Sequence, residues 1–206
     1  MERSAVIFDL GGVVVDSPLH AIADYERELG IPSDFVNHVV VDTGPSGAWS
    51  RLERGEVSMA GFFSDFEAEC RAAGHEISAR AMMARIAECG PRPRMLDAIE
   101  RLRKASFRTA ALTNNWANED GGRDNGELRA RFDVFVESAV VGLRKPDPRI
   151  YDHVLGELGV EAAQAIFLDD IGRNLKTARA MGMHTIKVDD PDVALRELAG
   201  LTGLDL

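Results

Sequence analysis

One apolar stretch that ends at a carboxylate constrains the fold of this chain more than any other feature. Residues 5–8 are Ala, Val, Ile and Phe; they lead directly to Asp9, and Gly11 and Gly12 come shortly after. A short apolar run bounded by turn formers is typical of a strand that is buried on both faces of a sheet. Open α/β sheets bind ligands at the carboxyl ends of their strands, so we expect Asp9 at a ligand site. On this stretch alone, an Asp that only caps a turn is an equal alternative.

The pattern of apolar runs returns after residue 90. Apolar runs predict strands at 107–112, 134–141, 165–168 and 185–188. Apolar residues at helical spacing predict helices at 95–104, 150–158 and 175–181 and around Ala194. Strands that alternate with helices predict an α/β fold with a doubly wound parallel sheet and right-handed crossovers.

The segment between these two parts lacks strand alternation and has helical patterns instead. Its signals are a helix that ends at Gly30, a helix at 35–41, a loop at 42–47, and helices opened by Ser58 and Ser78. We therefore expect a small all-helical cap at 17–90, inserted into a core made of 1–16 and 91–206. The phenylalanines of this insert are interpreted as its own core rather than as a ligand pocket; they are Phe62, Phe63 and Phe66.

The charge balance argues against polyanionic partners. The chain has 24 Lys and Arg against 34 Asp and Glu, a formal net charge of −10. Nucleic acid and anionic membranes are therefore not expected as partners. The N-terminus lacks a signal-peptide pattern, and no apolar run approaches the roughly 18 residues of a membrane span, so we expect a cytoplasmic protein. No pattern indicates an oligomeric state.

Cysteine and histidine usage narrows the possible metal chemistry. Cys70 and Cys89 are isolated in predicted helices; one bridge between them is possible, but buried free thiols in a reducing cytosol are the preferred interpretation. The five histidines show no HxH or HExxH spacing. A metal ion is therefore expected to have oxygen ligands.

Polar side chains stand where four of the predicted strand regions end. They are Asp9, Thr113 with Asn114, Lys145, and the pair Asp169 and Asp170. Because the carboxyl ends of parallel strands share one edge, we expect these side chains close together. Three carboxylates there would repel one another unless a cation lay between them, and Mg²⁺ is the usual hard cation with oxygen ligands. A lysine, a hydroxyl and an amide beside it suit the oxygens of a phosphate.

Four motifs, in this order, resemble the haloacid dehalogenase superfamily of hydrolases. They are FDLGGV at 8–13, LTNN at 112–115, RKPDPRIY at 144–151 and FLDDIGRNLK at 167–176. Within the superfamily the chain is similar to the phosphatase domain of soluble epoxide hydrolases and to small bacterial sugar-phosphate phosphatases. The helical insert stands where this superfamily has its cap, so the resemblance spans nearly the whole chain. It implies a Rossmann-like core with a helical cap.

The resemblance also implies a reaction and a metal site. Asp9 would attack the phosphorus of a small phosphorylated metabolite, with sugar phosphates among the candidates, and water would then cleave the aspartyl phosphate. Mg²⁺ would be held by Asp9, the backbone carbonyl of Gly11 and Asp170, with Asp169 in support. The chain would thus be a phosphoric monoester hydrolase.

The remaining matching residues would bind the phosphate. Thr113 and the backbone at Asn114 would contact its oxygens, and Lys145 would neutralise the nucleophile and the phosphate together. Without such a cation, attack of a carboxylate on an anionic phosphate is electrostatically opposed. Asn174 would orient Lys145 or Asp170.

The chain departs from the superfamily at one position that matters for chemistry. Its phosphatases usually carry a second Asp two residues after the nucleophile as general acid and base, and Gly11 stands there in this chain. A positioned general acid contributes about 10²–10⁴-fold in rate. Its loss is expected to cost least for anomeric or acyl phosphates. Asp16 is one candidate substitute, although a cap for the following helix is the preferred interpretation.

Three other functions are compatible with part of this pattern. A degenerate member could bind a phosphorylated ligand or partner without hydrolysis, which Gly11 favours. Carbon–halogen hydrolysis needs no metal, so Asp169 and Asp170 argue against it. A phosphoryl-accepting receiver module would have its acidic pair early in the chain and no insert.

Two further expectations concern the surroundings of the site. Substrate specificity is expected from the cap; the candidate residues are Trp49, Arg51, Arg54 and Glu56. Residues 116–127 are polar and rich in glycine, which predicts a mobile surface loop.

Overall fold

A five-stranded parallel sheet forms the centre of the computed structural model, which describes residues 3–117 and 126–206. The strands are β1 (Ala5–Phe8), β2 (Arg108–Thr113), β3 (Val134–Glu137), β4 (Ala165–Asp169) and β5 (His184–Lys187). Their order is β3-β2-β1-β4-β5, and every neighbouring pair is parallel. The predicted doubly wound α/β fold is confirmed.

Helices precede, connect and follow these strands. They are α1 (Pro18–Leu29), α2 (Phe35–Thr43), α3 (Ala48–Glu53), α4 (Met59–Ala72), α5 (Ala79–Ala87), α6 (Pro93–Lys104), α7 (Gly126–Arg129), α8 (Ser138–Val141), α9 (Pro148–Leu158), α10 (Gly172–Ala180) and α11 (Pro191–Thr202). The first five lie between β1 and residue 90, so the segment that was expected to be helical is helical.

The central strand β1 is buried on both faces, as its continuous apolar run predicts. Val6 and Phe8 pack in one cluster with α6 and α11, while Ala5 and Ile7 pack in another with α9 and α10. Side chains alternate along a strand, so four consecutive apolar residues serve both layers. Asp9 comes directly after these residues and is the first polar side chain at the sheet edge.

Helices α1 to α5 share a third apolar cluster that is separate from the two clusters of the sheet. Gly30 ends α1 in the left-handed region, with φ 67°, and the side chains of Ser58 and Ser78 cap α4 and α5. Phe62 and Phe66 are fully buried in this cluster, with ring centroids 5.2 Å apart. These two residues form the core that the phenylalanine row predicted.

Two predicted elements need correction. The strand region expected at 134–141 is β3 followed by α8, because an apolar run alone does not distinguish a strand from a short helix. Lys145 therefore follows a helical turn that ends at Gly142, not a strand. The loop expected at 42–47 contains the end of α2 and a 3₁₀ turn (Gly44–Ser46). The hydroxyl of Thr43, the last residue of α2, donates to the carbonyl of Val39 at 2.8 Å.

The remaining expectations about the chain have mixed outcomes. Cys70 and Cys89 are both buried thiols, as predicted. Within 3–117 and 126–206, no helix has both the length and the apolar character that crossing a membrane requires. Most of the loop that was predicted to be mobile, residues 118–125, lies outside the described residues.

Candidate active site

A buried lysine between two carboxylates is the centre of the polar sheet edge. The register pairs Phe8 with Leu168, which places Asp9 beside Asp169. Lys145 Nζ lies 2.9 Å from Asp9 Oδ1 and 2.7 Å from Asp169 Oδ2, and all three residues are buried. Burial disfavours the charged lysine, but attraction by Asp169 and Asp9 outweighs it and raises the pKa of Lys145. The ammonium is therefore retained in the core.

Asp9 keeps one oxygen open. Its Oδ1 accepts from the Leu10 N–H at 2.7 Å and contacts Lys145, whereas Oδ2 has no hydrogen-bond partner in the described part of the chain. Burial raises the pKa of Asp9 well above its usual range, and Lys145 opposes that shift. A second cation would stabilise the ionised form, which a nucleophile requires.

Asp169 is held from three sides. Both of its carboxylate oxygens accept from Asn174 Nδ2 at 3.1 Å, and Oδ1 also accepts from the Ile171 N–H at 2.7 Å. Asn174 was expected to orient Lys145 or Asp170. In the structure it contacts neither and fixes Asp169 instead, so its influence on Lys145 passes through that carboxylate.

The three carboxylates fit a divalent cation. Asp9, Asp169 and Asp170 each offer an oxygen, and these atoms lie within 4.8 Å of one another. When ionised, three carboxylates and one lysine leave two negative charges, which one Mg²⁺ would neutralise. Burial, followed by repulsion from Asp169, raises the pKa of Asp170 to about 6.

The absence of a side chain at Gly12 leaves space for the third carboxylate, that of Asp170. A Cβ at Gly12, whose φ is 74°, would lie 2.1 Å from Asp170 Oδ2, so glycine is needed there. Gly11 lies on the wall of the same site. Ligation by its carbonyl stays a prediction.

Thr113 and Asn114 are at this edge, but their surroundings differ. Thr113 ends β2 and is buried, with its hydroxyl 3.5 Å from the carbonyl of Asn114. The Asn114 side chain makes two hydrogen bonds to the backbone of Lys145. Asn114 Oδ1 accepts from the Lys145 N–H at 2.8 Å, and Asn114 Nδ2 donates to the Lys145 carbonyl at 3.0 Å. The side chain of Asn114 therefore positions the lysine, which the sequence pattern did not predict.

The position of the expected second Asp is crowded by a proline ring. A Cβ on Gly11 would lie 3.1 Å from both Cδ and Cγ of Pro18. Asp16, the candidate substitute, is exposed and pairs with Arg92 at 3.4 Å. It does not line the site, and α1 has no side-chain cap. Neither interpretation of Asp16 matches its position.

A cavity of about 940 Å³ lies between helices α1 to α5 and the polar edge of the sheet. Asp9, Thr113, Lys145 and Asp170 line one end. Much of the remaining wall is apolar and includes Leu19, Ile22, Val40, Met59, Phe63 and Met83. Phe63 therefore belongs to the cavity, contrary to the expectation that the whole phenylalanine row is core.

Several charged residues of the wall were not identified as candidates from the sequence, and Arg144 and Glu53 are two of them. The Arg144 guanidinium binds Glu53 through Nε at 2.6 Å, and Glu53 Oε1 accepts from Trp49 Nε1 at 2.9 Å. Arg144 lies in the RKPDPRIY motif, but only its contact partner distinguishes it from a surface arginine. Glu53 lies at the end of a short amphipathic helix and gives no local signal.

The cap residues that were named as specificity candidates have different positions. Trp49 lines the cavity. Arg51 pairs with Asp65 at 3.2 Å, and Arg54 binds Glu56 at 2.6 Å and the carbonyl of Pro45 at 2.8 Å. These three charged residues do not line the cavity, so of the four only Trp49 is placed to contact a ligand.

Fold and site together define a class of protein: an α/β protein with a buried acidic cluster that suits a cation at the carboxyl edge of its parallel sheet. A family profile described as haloacid dehalogenase-like hydrolase matches residues 4–182. The chain belongs to this family. The sequence motifs had implied the same assignment.

Several curated proteins are similar to this chain at moderate sequence identity. Mouse acyl-CoA dehydrogenase family member 10 is 38% identical over 98% of this chain and 19% of its own length. Pig bifunctional epoxide hydrolase 2 is 35% identical over 100% of this chain and 40% of its own length. The chain thus spans less than half of either relative. The sesquiterpene phosphatase astK of Aspergillus oryzae is 29% identical, with coverage of 97% and 96%.

Solved structures have the same fold. A haloacid dehalogenase-like family hydrolase from Porphyromonas gingivalis superposes with a TM-score of 0.70 at 23% identity, covering 100% of both chains. A family enzyme from Bacteroides thetaiotaomicron, solved with magnesium and inorganic phosphate, gives 0.63 at 19% identity over 90% and 93%. At these identities the likeness supports the fold alone.

Proposed function

We propose that this chain is a Mg²⁺-dependent phosphohydrolase that acts through an aspartyl phosphate. The observation that carries the proposal is the contact of one buried ammonium, Lys145, with both Asp9 and Asp169 beside Asp170. This arrangement suits a divalent cation and leaves Asp9 Oδ2 open. Relatives that are named as phosphatases support the same function.

Asp9 is the proposed nucleophile. One of its oxygens forms a bond to phosphorus while the bond from phosphorus to the leaving oxygen breaks; the leaving group departs as an alkoxide with that electron pair and takes a proton from solvent water. A second water molecule then attacks the phosphorus while the bond from phosphorus to Asp9 breaks, which restores the carboxylate and releases inorganic phosphate. One proton of that water stays on the phosphate, and the other neutralises the hydroxide left when the alkoxide was protonated. Lys145 neutralises charge on Asp9 and on the phosphate, and Thr113 and the backbone at Asn114 contact phosphate oxygens.

Asp9, Asp170 and the carbonyl of Gly11 would hold Mg²⁺, with Asp169 supporting the shell. When bound, the ion supplies positive charge that neutralises the phosphate oxygens and the carboxylates. Asp169 also fixes the lysine, since Asn174 and the Ile171 N–H hold it in place.

The proposed substrate is a small phosphate monoester with a largely apolar body. The apolar wall of the cavity supports this substrate class, because a concave apolar surface favours an apolar ligand. A relative named as a sesquiterpene phosphatase is in line with it. A sugar phosphate stays a prediction, and the wall favours it less. The helical segment 17–90 would act as the cap over this substrate.

The test is turnover of a phosphate panel with and without Mg²⁺, beside an Asp9→Asn variant. The panel includes p-nitrophenyl phosphate, a sugar phosphate and isoprenoid or alkyl phosphates of increasing length. We expect Mg²⁺-dependent release of phosphate that Asp9→Asn abolishes, and a KM that falls with apolar length. Absence of turnover on the whole panel with Mg²⁺ would refute the proposal.

Gly11 and Pro18 favour one second candidate, a binding protein without hydrolysis. Gly11 offers no general acid and the Pro18 ring crowds its position, so ligand binding could persist where chemistry is lost. In that case phosphate esters would raise the melting temperature without releasing phosphate.

A further inference from the structure

Glu53 collects hydrogen bonds from several donors at the boundary between the helical segment and the sheet. It is the last residue of α3, and its side chain is 9% exposed. Arg144 reaches it through Nε at 2.6 Å and Nη2 at 2.5 Å. Trp49 Nε1 donates to its Oε1 at 2.9 Å, and Asn114 Nδ2 lies 3.4 Å from its Oε2. Such a buried carboxylate with convergent donors holds its partners in fixed positions.

Two of these donors, Arg144 and Asn114, are connected to Lys145. Arg144 is its neighbour in the chain, and the Asn114 side chain binds both the N–H and the carbonyl of Lys145. The Arg144 guanidinium is further fixed by Ser50 Oγ at 2.9 Å. The backbone from which the ammonium extends is therefore held by side chains that also contact Glu53.

The helix that carries Glu53 is docked tightly at this point. A Cβ on Gly55 would lie 2.5 Å from the carbonyl oxygen of Ala139, in α8, and Gly55 has a φ of 69°. The chain just after α3 thus touches the turn that leads from β3 to Lys145. A glycine permits this close approach.

The same carboxylate contacts the cavity wall. Trp49 lines the cavity and packs edge-on against Trp116, with ring centroids 6.4 Å apart. Glu53 therefore links an aromatic side chain that would touch the body of a substrate to the segment that holds Lys145.

We propose that Glu53 is a positioning residue. Through its hydrogen bonds to Arg144 and Asn114 it fixes the position of the Lys145 ammonium. Through Trp49 it also connects this ammonium to the cavity wall. The inference rests on the proposed phosphohydrolase activity. A displacement of about 1 Å at a catalytic group costs about 10²-fold in rate. Loss of the carboxylate charge is therefore expected to act on kcat, since the phosphate keeps its other contacts.

The test is steady-state kinetics of Glu53→Gln on the best substrate of the panel, with kcat and KM determined separately per folded enzyme. We expect kcat to fall by about 10- to 100-fold while KM stays within about threefold. Arg144→Gln should show the same split. The kcat of the double variant should lie within about threefold of the kcat of the slower single variant. The two changes should not add, because each of them removes the same contact between Glu53 and Arg144.

Asp65→Asn is the matched control. It removes another ion pair of α3, the one with Arg51 at 3.2 Å, which has no contact with Lys145. We expect its kcat to equal that of the wild type. The folded fraction of every variant is measured by circular dichroism, so that lost stability is not counted as lost rate.

Two results would overturn the inference while the proposed function stands. An increase in KM at unchanged kcat would make Glu53 a substrate contact, and kinetics equal to the wild type would make it purely structural. A wild type without turnover is a different failure, since it refutes the proposed function and the inference with it.

Discussion

Gly11 limits the chemistry that is proposed for Asp9. A phosphatase with a general acid releases poor leaving groups, whereas this chain has a glycine beside the Pro18 ring at the position of that acid. We expect the rate to fall steeply as the leaving alcohol becomes more basic. Aryl phosphates should turn over about 10²–10⁴-fold faster than alkyl phosphates of similar size. Comparison of kcat/KM across a series of substituted phenyl and alkyl phosphates measures this slope, and equal rates across the series would contradict it.

The proline supplies the control for this expectation. In Gly11→Asp the new Cβ would lie 3.1 Å from the Pro18 ring, which must shift by a few tenths of an ångström, so this variant alone should restore little alkyl-phosphate turnover. The double variant with Pro18→Ala gives the new carboxylate room and should raise that turnover. A gain from Gly11→Asp alone would show that Pro18 is not the obstacle.

The phenylalanines of helix α4 lie in two different environments, the core of the helical segment and the wall of the cavity. Phe62 is fully buried beside Phe66, while Phe63 lines the cavity with Arg80 4.6 Å above its ring. We expect Phe62→Ala to lower the free energy of unfolding by about 3–5 kcal/mol, since a large buried side chain is lost. Urea denaturation followed by circular dichroism measures this change.

Phe63→Ala is the matched variant on the same helix. It should cost clearly less stability but raise KM for an apolar phosphate roughly tenfold, because part of the wall is removed. If both variants lose stability equally and neither changes KM, the division between core and wall is wrong.

The sequence predicts those elements whose signals are local. Residues 5–8 and 165–168 predict β1 and β4 because a buried parallel strand is continuously apolar. The end of α1 follows from Gly30, and Ser58 marks the start of α4. At 134–141 the same reasoning is wrong, since β3 is an edge strand with one partner and its apolar run turns into α8.

The candidate site shows the same limit. The motifs place Asp9 and Asp169 at one edge because the strands of a parallel sheet all end at the same edge. Lys145 reaches this edge from the chain that follows α8, which strand topology alone does not predict. Glu53 and Arg144 are 91 residues apart, and no spacing rule connects them. The second role of Asn114, as a clamp on the lysine backbone, equally depends on how a loop folds back.

For the whole molecule, charge links the site to stability. The chain carries a net charge of −10, and two uncompensated negative charges are concentrated at Asp9, Asp169 and Asp170 when these are ionised. Repulsion at a buried site opposes folding, and a cation that binds only the folded state stabilises it. Metal binding should therefore be visible in the melting temperature without any substrate.

We expect Mg²⁺ at about 100 times its Kd to stabilise the fold by about 2.7 kcal/mol. For a chain of this size that corresponds to roughly 5–10 °C in Tm. Asp170→Asn should abolish the increase, and without metal it should melt at or above the wild type because one buried charge is gone. Thermal scans at pH 8, above the pKa of about 6 for Asp170, measure both effects.

The control is Asp192→Asn, which removes an exposed ion pair with Arg94 and should leave the Mg²⁺-induced increase in Tm intact. Equal increases in wild type and Asp170→Asn, or an increase reproduced by NaCl at matched ionic strength, would place the ion elsewhere on the surface and leave the acidic cluster without its cation.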